Sequence, residues 1–197
     1  EDKKVFLLTR FEPLHLKTLL QAELISQMKQ NAPEVVTFGY DNLDTAFNET
    51  SGPPRFSPAI LFLSWGDIHP DLEWRSRGRH IPQTQSEIED GAKNLTNRIE
   101  AWLKNRKGLE TFGIFPPLSW AVNMDSTPPK TMGPLTLFLE KTRLDIMNVF
   151  HKNGGRILTP SLGGLNFCDT IMADHPLLME DCEALSQQLG TLLSKQT

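Results

Sequence analysis

Five short apolar runs, each rich in β-branched or aromatic residues and each followed by turn or polar residues, punctuate the chain. They are Lys4–Thr9 (KVFLLT), Glu34–Gly39 (EVVTFG), Ala59–Ser64 (AILFLS), Glu110–Phe115 (ETFGIF) and Gly155–Pro160 (GRILTP). Between them lie segments of helical period. The segment from Glu12 sets Leu16, Leu19, Leu20, Leu24 and Met28 on one stripe and carries Pro13 in its first turn. The segment from Ser86 does the same with Ile88, Leu95, Ile99 and Leu103, and the one from Pro134 stops at the Gly154-Gly155 pair. A last helical segment starts at His175.

Strands that alternate with helices of ten or more residues predict a fold of the α/β class, a three-layer α/β/α domain around a five-stranded, mostly parallel sheet. The third run has no polar alternation, the pattern of a central strand buried on both faces. At 197 residues, 39% of them apolar, the chain can bury one sizeable core, and a single α/β domain over 1–197 is expected.

Charge narrows the function classes. Twenty-four acidic residues face 20 basic ones, a net charge of −4, and the basic residues are scattered apart from Arg75–Arg79 (RSRGR). A nucleic-acid partner is therefore not expected, and RSRGR is taken as a solvated loop. No apolar stretch approaches a membrane span. With no secretory leader in view a cytoplasmic location is expected, a secreted or periplasmic one staying open because the chain starts at Glu1.

Cys168 and Cys182 match no metal spacing and are taken as free thiols, and His69, His80, His151 and His175 have no zinc-site spacing. No metal and no cofactor are expected. The first strand runs into TRFEPLH, which lacks the glycines of a phosphate-binding turn, and no Gly-x-Ser-x-Gly elbow occurs.

Ligands of open α/β sheets bind beyond the carboxyl ends of the strands, so the residues after each run are the candidates. Thr9 and Arg10 follow the first run, Gly39 closes the second, and Ser64, Trp65, Gly66, Asp67 and His69 follow the third. Asp174 and His175 precede the last helix. The Arg10 guanidinium suits a carboxylate or phosphate, with an ion pair to Glu12 as its plain alternative. Trp65, Trp74 and Trp120 are either apolar anchors beside a cleft or loop residues folded over the core. The Pro- and Gly-rich segment 116–134 is long enough to form a rim.

Four stretches taken together, LLTRFEPLHLKTLL, SPAILFLSWGDIHPD, FGIFPPL and DHPLLMEDCEALSQQL, resemble the SGNH hydrolase superfamily. The likeness is nearest to the SGNH-like N-terminal domain of the FkbH-like proteins. It implies a flavodoxin-like strand order and a hydrolase or acyltransferase-like domain acting on ester- or carrier-linked acyl groups in polyketide or other secondary metabolism. A small-molecule or acyl-carrier-protein-linked substrate is implied, as is a fused or partner haloacid-dehalogenase-like module, since DxDxT is nowhere in this chain.

Active SGNH enzymes carry Gly-Asp-Ser after the first strand, Gly after the second, Gly-x-Asn-Asp after the third and Asp-x-x-His before the last helix. Carried onto this chain, the resemblance implies Thr9 or Ser64 as hydroxyl nucleophile, His175 as base and Asp174 as its acidic neighbour. Gly39 and Gly66 stand where oxyanion donors would, with Arg10, Trp65, Asp67 and His69 around the substrate. The pattern is degenerate. Asp-Ser is missing after the first strand, asparagine is missing from SWGD, and Asp174 is adjacent to His175 and so would point to the opposite side of an extended backbone. A noncatalytic docking or ligand-binding domain on the same scaffold fits these residues as well.

Overall fold

The computed structural model describes residues 3–10, 13–38, 43–47, 57–72, 85–106, 110–115, 134–158 and 179–195. Five strands form one sheet: β1 (Lys4–Thr9), β2 (Glu34–Phe38), β3 (Ala59–Phe62), β4 (Thr111–Ile114) and β5 (Arg156–Leu158). Their order is β2-β1-β3-β4-β5, all parallel, with helices flanking the sheet. The fold is three-layer α/β/α, and its strand order is that of the flavodoxin-like doubly wound class. The helices are α1 (Leu14–Met28), α2 (Leu43–Phe47), α3 (Gln85–Asn105), α4 (Pro134–Lys152) and α5 (Met179–Ser194).

Backbone contacts gather the chain into two compact units, residues 1–62 with 160–197, and residues 63–159. In the first, β1 pairs with β2 (Val5 opposite Val35) and with β3 (Thr9 opposite Phe62). Every residue of β1 from Val5 to Thr9 is buried, as are all four of β3, so neither strand alternates. The edge strand β2 is only partly buried. On α1 the buried residues are Leu16, Leu20 and Leu24, one stripe at helical spacing.

Gln21, on the same helix, fastens the start of β2. Its side-chain amide donates to the Pro33 carbonyl at 3.1 Å, and its oxygen accepts the Val35 N–H at 2.7 Å. That N–H and that carbonyl would otherwise need other partners. Helix α5 crosses α1 at Gly190, where a Cβ would come within 2.5 Å of the Glu23 side chain. Pro13 stands one residue earlier than expected, at the cap of α1 rather than inside its first turn, its carbonyl accepting the Lys17 N–H at 2.8 Å.

The second unit is built on β4, β5, α3 and α4. The expected stripe of α3 is buried at Ile88, Leu95, Ile99 and Leu103, joined by Ala92. Phe150 of α4 lies against β4 where Gly113 has no side chain, a Cβ there meeting its ring at 2.8 Å and Ile157 Cδ1 at 2.9 Å. Fully burying a phenylalanine of this kind contributes about 2–3 kcal/mol.

Helix α4 ends as the glycine pair predicts. Gly154 takes φ +80°, its N–H reaches the His151 carbonyl at 3.1 Å, and the Gly155 N–H reaches that of Phe150 at 2.8 Å. These two bonds are the Schellman pattern. Near the same end of β4, Arg106 is buried, its guanidinium 5.1 Å from the Trp102 ring centroid and its Nε 3.5 Å from Thr111 Oγ1. Burial lowers its pKa to about 10, so it carries its charge at neutral pH.

Candidate functional site

Strand order 2-1-3-4-5 reverses between β1 and β3, and the carboxyl ends of those two strands are where such sheets take their ligands. Thr9 is the last residue of β1 and is buried, while Arg10, the next residue, is half-buried. Gly39, Asp174 and His175 lie outside the described residues, as do Trp74 and Trp120. Most of the expected rim, 116–133, lies outside them too.

The chain leaving β3 is fully described. Leu63 continues the ladder for one more residue, its N–H bonded to the Ile114 carbonyl at 2.9 Å. Ser64 then breaks it. Its backbone N–H is donated to Asp67 Oδ2 at 2.6 Å, and its hydroxyl donates to the same oxygen at 3.1 Å. The Ser64 side chain faces the Asp67 backbone N–H in return, a capping box around a single 3-10 turn, Trp65–Asp67. This is why the strand stops at Phe62 rather than at Ser64: a side-chain carboxylate takes the N–H that a longer ladder would use.

Inside the turn, Trp65 is 2% exposed and tilted 37° against the Phe115 ring, centroids 4.7 Å apart. Trp65 is thus part of the buried core. Gly66 is buried beside it, and Ser64 is only 7% exposed. The Ile68 and His69 N–H groups both return to the Trp65 carbonyl, at 3.0 and 3.3 Å. A second 3-10 turn, Pro70–Leu72, follows at once, the Leu72 N–H meeting the His69 carbonyl at 2.9 Å.

His69 points to α3, with its Nε2 3.5 Å from Glu87 Oε2. One helical turn further along α3, the backbone at Gly91 comes so close to Ile68 that a Cβ would stand 2.2 Å from its carbonyl oxygen. The sequence reading missed Glu87 and Gly91. Gly91 carries a clue nonetheless, since a glycine inside a helix costs about 1 kcal/mol against alanine and so marks a packing reason.

Chemically, Ser64 and Asp67 form a hydroxyl-carboxylate pair. A serine nucleophile needs a base at its proton and a free path to the carbonyl it attacks. Here the proton points into an oxygen that also holds the Ser64 backbone, so moving the hydroxyl outward breaks the box that shapes the turn.

Among the described residues no three His, Cys, Asp or Glu side chains gather as a metal site, and no helix is long and apolar enough to cross a membrane. The one described cysteine, Cys182, is buried in α5 with its thiol pKa pushed up to about 12 by burial first, then by the charges of Asp181 and Glu183. No protein-family model matches the chain, and no curated protein matches it either.

Proposed function

We propose that this chain is an SGNH-like α/β domain that binds a small-molecule or carrier-linked acyl or glyceryl group and does not hydrolyse esters through Ser64. One observation carries the reading: Asp67 Oδ2 holds both the backbone N–H and the hydroxyl of Ser64, which makes Ser64 the cap of a turn. The strand order supports a ligand at the carboxyl ends of β1 and β3, and the missing Asp-Ser and asparagine of the SGNH pattern agree with a site that has left hydrolysis behind. In this role the domain presents its ligand to a carrier protein or to a haloacid-dehalogenase-like module.

A second reading rests on a different residue. Thr9 ends β1, beside the position of the SGNH nucleophile, and with His175 as base it would make the domain an esterase or acyltransferase. Two experiments separate the readings. Titrating the labelled domain with butyryl-loaded acyl carrier protein should shift amide resonances of the chain, and hydrolysis of p-nitrophenyl butyrate should stay at the buffer rate. Absence of any shift removes the binding reading, and turnover lost on Thr9→Ala establishes the enzymatic one.

A further inference from the structure

Two consecutive residues after the Ser64–Asp67 turn, Ile68 and His69, meet two residues of α3 that are one helical turn apart, Gly91 and Glu87. Positions four apart share a helix face, so α3 offers one surface to the whole segment. At Gly91 the contact is backbone against backbone. The atoms that a Cβ would strike, the Ile68 carbonyl oxygen at 2.2 Å and carbon at 3.2 Å, cannot swing aside as a side chain can. At Glu87 the contact is between side chains, Glu87 Oε2 lying 3.5 Å from His69 Nε2, with the His69 side chain 16% exposed and that of Glu87 68% exposed. The carbonyl of Ile68 is fixed from the other side as well, because its own N–H and that of His69 are tied to Trp65.

We infer that Gly91 is a positioning residue: by seating α3 on the Ile68 carbonyl, with Glu87 holding His69, it sets the geometry of the Ser64–Asp67 turn. Anything that displaces the first two turns of α3 then displaces the turn that continues β3. The inference rests on the proposed function only for the importance of this turn, since the mechanical coupling is independent of what binds there. Alanine at position 91 would suit an isolated helix better than glycine does, so the close contact is the reason for glycine.

The test is amide hydrogen exchange on the full chain without ligand, so that its result does not depend on the binding reading. Gly91→Ala is compared with Glu87→Gln and with Gly190→Ala, a helix glycine of the other unit whose nearest obstacle is a side chain, that of Glu23, rather than backbone. In Gly91→Ala the amides of Ser64, Ile68 and His69 should exchange about ten-fold faster or more, while those of Ile99 to Leu103 keep their rates. Glu87→Gln should speed His69 and Leu72 by a smaller factor, and Gly190→Ala should leave the amides of Ser64, Ile68, His69 and Leu72 unchanged. Unaltered exchange at Ser64 and Ile68 in Gly91→Ala overturns the inference. So does acceleration spread evenly over α3 and β4, which would make Gly91 a general packing position, and so does an unchanged Glu87→Gln if Gly91→Ala fails to fold.

Discussion

Asp67 Oδ2 accepts two hydrogen bonds from one residue, the Ser64 N–H at 2.6 Å and the Ser64 hydroxyl at 3.1 Å. The pairing ends β3, shapes the turn after it and occupies the hydroxyl on which a Ser64-based hydrolase would depend.

The two partners are not equivalent. Ser64→Ala keeps the backbone bond and loses only the hydroxyl, a cost of about 1 kcal/mol, as for other caps. Asp67→Ala strips both bonds from a buried residue and should cost about 2–3 kcal/mol. Urea unfolding of the two variants checks the order. An Ser64→Ala variant as damaged as Asp67→Ala would mean that the hydroxyl, rather than the N–H, holds the turn.

Two glycines of the second unit should fail for different reasons. Gly113→Ala drives a methyl into the Phe150 ring and Ile157, an overpacking cost of about 1–3 kcal/mol. Gly154 has open space around it but φ +80°, so Gly154→Ala should cost about 1 kcal/mol through the left-handed backbone alone. Trimming Phe150 to leucine should recover part of the Gly113→Ala loss and none of the Gly154→Ala loss, which a double-mutant cycle measures.

Cys182 should be chemically silent in the folded state. With its pKa pushed up to about 12 the thiolate is scarce at pH 8, and the sulfur is buried in α5. Alkylation by iodoacetamide at this position should require unfolding. The linkage has a definite sign: a thiol whose pKa is raised on folding contributes stability that is complete below the unfolded value of about 8.5 and is lost as pH climbs toward the folded one. Cys182→Ala should remove that alkaline loss, seen as a flatter dependence of stability on pH between the two values.

How far the sequence foretold this depends on length and on partners. All five strands lie within the apolar runs, and α1, α3 and α4 lie where their stripes predicted, because each stripe repeats over several turns. Helix α2, five residues long, shows no period to detect, and only the burial of Leu43 and Ala46 explains it. The end of β3 was set by Asp67, three residues beyond Ser64 and so beyond what strand propensity weighs. Ser64, Trp65, Gly66, Asp67 and His69 were all singled out from their place after the third run, yet their roles were not legible. Whether a serine is a nucleophile or a cap depends on where its proton points, and whether Trp65 is an anchor or a lid depends on Phe115, fifty residues away. Glu87 and Gly91 belong to a helix whose contact with Ile68 and His69 exists only in three dimensions.

The central claim, that Ser64 is a structural cap in a domain that binds rather than hydrolyses, is tested most directly by p-nitrophenyl acetate and butyrate turnover. The purified chain is assayed beside Ser64→Ala, Thr9→Ala and His175→Ala, each first shown to be folded. The account predicts rates at the buffer level for all four proteins. Turnover by the parent chain that disappears in Ser64→Ala while the fold persists would contradict it.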